Sequence, residues 1–293
     1  MHPLPAYGIN LKNSADKAGV HGLSCGMFWR IGAVSISLVI LCSSGFAAGQ
    51  PQTLTPDEMS RAAKVDTFTV PTPGELLAAL NKQGKPNWLA QFRKPIPTAY
   101  TSRAQIALNL GGLLADGYIA VEAEDAQQVK NTGKDIISLA KALGVSQNII
   151  SRGNSISEFA GRNDWNALKE ELEATQNEVR AAMLEQHDRE LAILVSLGGW
   201  IRGTEAVSAW VAANYTPEGA KLLRQPALVH FLRGKISELP AKVQEEPLVQ
   251  AVNSKLREME KLVAFPRDAT PSVEDVKKLH AYASAAVREI ETK

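Results

Sequence analysis

His187-Asp188-Arg189-Glu190 is the run in this chain whose residue types come nearest to a metal-site motif. On a helix, His187 and Glu190 stand at i and i+3 on one side, as ligands of carboxylate di-iron bundles do. Those centres need two Glu-x-x-His runs and further glutamates, whereas here a single reversed copy stands alone, as a solvated charged turn would. His230 and His280, the other histidines after residue 49, are far away in sequence, so no histidine pair has metal-ligand spacing. No metal site is expected. Glu122 and Glu124 form a carboxylate pair in EAED, a sequence that reads as a solvated helix end. Nucleophile-elbow, zincin and Walker motifs do not occur, and no cofactor is implied. An enzyme with a dispersed acid/base or metal site near His187 and Glu190 is the alternative reading, since catalytic groups assemble from distant segments.

A second set of candidates lies in two segments that are apolar nearly all the way round, IALNLGGLLADGYIAV at 106–121 and ILVSLGGWIRGTEAVSAWV at 193–211. All-round apolarity marks helices at the centre of a bundle. The segments resemble each other at an offset of 87 residues: Ile106 aligns with Ile193, Asn109 with Ser196, and Leu110-Gly111-Gly112 with Leu197-Gly198-Gly199. This suggests an internal duplication. Glycine inside a helix costs about 1 kcal/mol relative to alanine, so paired glycines point to close approach of two backbones. Gly111 with Ala115, and Gly199 with Gly203, have the small-xxx-small spacing that allows it. Asp116, Arg202 and Glu205 argue against a membrane setting, and no transmembrane helix is expected in the mature chain. A buried carboxylate needs a partner, and Arg202 is the candidate for Asp116. Around this crossing, Asn109, Asp116, Ser196, Trp200, Arg202 and Trp210 are the expected lining of a groove for a small apolar ligand or a protein partner, with aromatics as walls and the charged pair as anchor; ordinary core packing is the alternative reading of the two tryptophans.

LAKALGVSQNIISR at 139–152 resembles the helix-turn-helix of lactose-repressor-type regulators. Ala140 is the small residue, Gly144 the turn, Val145 the packing residue beneath it, and Ile149 or Ile150 the anchor of the second helix. The resemblance implies Ser146, Gln147, Asn148, Ser151 and Arg152 as groove-facing donors. It covers some 20 residues, and any tight helical corner makes the same demands. Charge between Glu122 and Glu158 is nearly balanced, and the motif is central rather than N-terminal. Nucleic acid is therefore disfavoured as a partner.

The setting of the chain points the same way. Ile31 to Leu41 is an uncharged apolar run, preceded by Arg30 and followed by SSGFAAGQ, which is the layout of a secretory signal peptide. It is shorter than the roughly 20 residues of a membrane span. Cleavage is expected near Ala48 to Gln50. Residues 1–49 are thus read as signal peptide with an upstream leader, Met27 being the expected initiator and an unusually long leader the alternative. Both cysteines, Cys25 and Cys42, fall in this segment, which excludes thiolate chemistry and disulfides from the mature chain. Removing it takes three of the 32 basic and one of the 31 acidic residues, leaving 29 against 30 and no electrostatic footprint for nucleic acid or anionic membrane. A periplasmic or secreted location is expected.

Elements must position these residues. Residues 50–71 are polar and turn-rich and read as a loose arm. From 72 to 293 helical punctuation dominates and no segment alternates as a strand. Thr72-Pro73-Gly74-Glu75 is a capping box with proline at the first helical position. Thr101-Ser102, Thr216-Pro217-Glu218 and Thr270-Pro271-Ser272 stand before further apolar periodicities. Residues 164–187 place Trp165, Leu168, Leu172, Val179 and Met183 on one face. The expectation is a single all-α domain, a bundle of about nine or ten helices around the two Gly-Gly helices.

Overall fold

A computed structural model describes residues 63–65, 68–70 and 72–292. The segments expected to be signal peptide and leader, and most of the expected arm, lie outside the described residues. By backbone contacts the chain divides into residues 1–49 and 50–293, and only the second unit is described below.

The first helix starts where its capping chemistry stands. Thr72 Oγ1 accepts a hydrogen bond from the Glu75 amide at 3.2 Å, and Glu75 Oε2 accepts one from the Thr72 amide at 2.7 Å. With two of the orphan amides satisfied, α1 runs Pro73–Asn81. A 3-10 turn follows at Trp88–Gln91. An irregular segment then leads through Pro95 and Pro97 to Ser102, which caps α2 (Arg103–Glu122).

The next four helices follow one another through turns of two or three residues: α3 (Ala126–Leu143), α4 (Ser146–Arg162), α5 (Trp165–Glu185) and α6 (Arg189–Ala213). Each of the four turns contains one left-handed residue: Glu124 at φ 54°, Gly144 at 80°, Asn163 at 54° and His187 at 61°. Reversal within so short a link requires that conformation at the helix C-terminus. Only Gly144 adopts it without a Cβ penalty.

The remaining helices are α7 (Pro217–Lys221), α8 (Pro226–Ser237), α9 (Ala241–Gln244), α10 (Pro247–Val263) and α11 (Val273–Glu291). Proline at the first helical position of α7, α8 and α10 gives up an amide that has no helical acceptor anyway. Among the described residues the fold is an all-α bundle of nine helices of at least two turns and two of a single turn. One feature departs from the sequence-based expectation. Part of the arm is a short antiparallel ribbon, β1 (Ala63–Val65) with β2 (Phe68–Val70), in which Ala63 stands opposite Val70. Three-residue strands are too short to show an alternating pattern.

The centre of the bundle is α2 against α6. Both are buried along most of their length, and α11, α3, α1 and α5 surround them. They run in the same direction: Arg103 at the start of α2 bonds Asp188 at the start of α6 at 2.6 Å, and Asp116 meets Arg202 further along. Their backbones touch at the glycines. A Cβ on Gly111 would lie 1.9 Å from the Val195 carbonyl oxygen, and one on Gly198 would lie 2.0 Å from that of Leu108. These contacts are reciprocal, since the 87-residue offset relates Gly111 to Gly198 and Leu108 to Val195. By length and composition α2 would also suit a membrane span, yet here it is enclosed by the bundle.

Candidate functional site

The ionic centre lies further along α2 and α6, beyond the glycine contact. Asp116 is drawn into the interior by its position on a helix that is otherwise apolar. Arg202 Nε donates to Asp116 Oδ1 at 2.8 Å, the pairing expected from the sequence. Arg202 is only 3% exposed, and its other nitrogens are engaged as well. Nη1 donates to Glu205 Oε2 at 3.1 Å and Nη2 to the Gln91 carbonyl. A buried guanidinium is tolerated when each edge has an acceptor.

A second arginine completes the group. Arg93 Nε donates to Asp116 Oδ2 at 2.6 Å, and its Nη1 donates to Glu291 on α11. Burial opposes the charge on Arg93, but Asp116 and Glu291 outweigh it and hold the guanidinium above its ordinary pKa. Asp116 is therefore shared between two arginines. Neither Arg93 nor Glu291 is identifiable from sequence: 198 residues separate them, and Arg93 sits in an aperiodic stretch next to proline. The only signal is Asp116 itself, which calls for a cation without saying how many.

Residues 92–101 form a strap over this centre. Among the described residues, 93–101 make no backbone–backbone hydrogen bonds. The strap is held by side chains, through Arg93 at one end and at the other by the Tyr100 hydroxyl, which donates to the Glu291 carbonyl at 3.2 Å. Asn109 Nδ2 donates to the Ile290 carbonyl at 2.7 Å, and Gln105 Nε2 to the carbonyls of Ile290 and Thr292 at 3.0 and 2.6 Å. Three side chains thus satisfy carbonyls that the C-terminus of α11 leaves open.

A cleft of about 280 Å³ opens between the strap and the α2–α3 pair. Phe92, Ile96 and Leu113 give it apolar surface, and the largely buried Asp116 also lines it. From α3 come Gln128, Asn131, Thr132 and Asp135, at the i, i+3, i+4, i+7 spacing of one helix face. Lys94 and Lys134 stand at its rim, both exposed. Burial raises the pKa of Asp135, with Lys134 acting against the shift. On the other side of the strap, a cleft of about 300 Å³ shares Lys94, Pro95 and Ile96 and reaches Glu291.

The six candidate site residues are therefore not one groove. Asp116 lines the first cleft, and Arg202 anchors it from behind. Asn109 clamps α11. Ser196 is buried and returns its hydroxyl to the Ala192 carbonyl at 3.0 Å. Trp200 is 1% exposed, its Nε1 donating to Gln225 Oε1 at 2.7 Å, so it is a core residue rather than a wall. Trp210 packs beside Gly84, where a Cβ would come within 2.9 Å of its ring.

The helix-turn-helix resemblance corresponds to a real corner between α3 and α4. Leu139, Ala140, Val145 and Ile149 are buried, whereas Ile150 is exposed, so Ile149 is the anchor. Arg152 is engaged by α5, paired with Glu171 at 3.1 Å and with Glu178. The side chains of Ser146, Gln147 and Asn148 lie outside the described part of the chain. His187 is exposed in its left-handed turn, and among the described residues no group of three or more His, Asp or Glu could hold a metal ion.

No family model, curated protein or solved structure matches this chain. Among the described residues the fold defines the class as an all-α bundle.

Proposed function

We propose that the protein is exported to the periplasm or beyond, and that it acts there without catalysis by binding a small ligand in the cleft between the strap and α3. The observation that carries this is a recess with convergent polar groups backed by a preorganised ionic centre, the ordinary anatomy of a ligand site. The anchor is rigid because Asp116 is held by two arginines, whereas the strap lacks backbone ladder bonds. A mixed lining favours a polar ligand over the purely apolar one anticipated from the tryptophans. Export is supported by the apolar run at 31–41 and by a chain without cysteine after residue 49. The reciprocal contacts of Gly111 and Gly198 support an ancestral duplication of the central helix.

Native mass spectrometry of the protein recovered from the extracytoplasmic fraction of its own cells tests this reading. A chain beginning near Gln50, with a small non-covalent mass that disappears in Asn131→Trp, is the expected result. An uncleaved chain in the cytoplasm overturns export. A bound mass that survives Asn131→Trp overturns the assignment of the cleft.

A further inference from the structure

The charges around the cleft separate into those already spent and those left over. Arg93 and Asp116 are spent, satisfied by one another, by Glu291 and by Arg202. Lys94, Lys134 and Asp135 are left over: among the described residues none of them makes an ion pair, although Lys134 acts on the neighbouring Asp135 carboxylate, and all three line the cleft. They give the recess two exposed cations and one partly desolvated carboxylate. A simple anion would meet the lysines but also face Asp135. A simple cation would have the converse difficulty, and a neutral sugar would compensate none of the three.

We propose that the ligand is a small zwitterion, a free α-amino acid, with its carboxylate at Lys94 and Lys134 and its ammonium at Asp135. This rests on the reading of the cleft as a binding site. Charge-assisted hydrogen bonds at both ends of the ligand fix its direction. Phe92, Ile96 and Leu113 then receive its carbon skeleton, and the Gln128 and Asn131 amides supply further polar contacts. A volume of about 280 Å³ lies just below the roughly 300–1,000 Å³ usual for ligand pockets, which suits a single amino acid better than a peptide. The raised pKa of Asp135 has the same logic: burial disfavours its charge, and an ammonium arriving beside it restores that charge.

Isothermal titration of the full exported protein with each of the twenty proteinogenic amino acids, then with N-acetyl and carboxamide derivatives of whichever binds best, is the test. At least one amino acid should bind, blocking either terminus should weaken it by about tenfold or more, and Asp135→Asn should weaken the free amino acid while leaving the N-acetyl derivative unchanged. Equal binding of the N-acetyl derivative and the free amino acid overturns the zwitterion. If none of the twenty binds, a fragment screen by ligand-observed NMR locates the failure. Fragments displaced by Asn131→Trp leave the cleft standing and the ligand class wrong, whereas no displaced fragment overturns both.

Discussion

Asp116 is the residue on which the interior depends most. It holds the only carboxylate within reach of both Arg93 Nε and Arg202 Nε among the described residues. Asp116→Asn should therefore cost about 1.5–3 kcal/mol in urea denaturation, the usual worth of a charge-assisted hydrogen bond, since Glu291 and Glu205 still pair the two arginines. Arg202→Met combined with Asp116→Leu should cost less than the sum of the two single changes, because the double variant strands neither member of that pair. Additivity in that cycle would show that the pair is not coupled. Asp116 with Arg202 is legible in the sequence, since two charges at similar depths in two apolar helices have few other partners. Arg93, Glu291 and the Gln91 carbonyl are not, because they come from the aperiodic strap, from a helix far along the chain and from a short 3-10 turn. The burial of Trp200 is legible from a segment that is apolar nearly all the way round, whereas its partner Gln225, beyond the helix that carries it, is not.

At the scale of elements, the glycines divide sharply by what surrounds them. In Gly198→Ala the new methyl would meet the Leu108 carbonyl at 2.0 Å, and a helix backbone cannot step aside as a flexible side chain can. The expected loss is about 3 kcal/mol, the upper part of the range for overpacking. Gly234 on α8 has nothing within 4 Å of the place a Cβ would take, so Gly234→Ala should stabilise by about 0.5–1 kcal/mol through helix propensity alone. Denaturation midpoints of the two variants should move in opposite directions. Helix starts at Thr72, Ser102, Thr216 and Ser272 are legible because capping is local chemistry. The Gly-Gly crossing is legible because only close packing explains such residues in a buried helix. The ribbon at 63–70 is not, and neither are the left-handed turns at Glu124 and His187, where side-chain identity gives no cue to the backbone.

Across the whole molecule, the end of the chain is tied to the middle. Tyr100, Gln105, Asn109 and Arg93 all converge on the last turn of α11. Burial first, and the charge of Glu291 second, raise the Tyr100 pKa to about 12 despite the opposing effect of Arg93. The folded state therefore keeps this proton when the unfolded state has lost it near pH 10. Stability is unaffected below that point and falls as the pH rises towards 12. In Tyr100→Phe the alkaline decline between pH 10 and 12 should be shallower than in the parent protein, measured as urea midpoint against pH. Parallel slopes would mean that the phenol titrates alike in both states. The bundle and its central pair can be anticipated from periodicity, whereas the cleft cannot, because a recess belongs to the way elements are stacked.

The contact of backbone with backbone at Gly111 and Gly198 also has a mechanical meaning. Two helices whose peptide groups interlock have no side chains between them to act as bearings, so α2 cannot slip along or roll over α6. The floor of the cleft is thereby a fixed anvil.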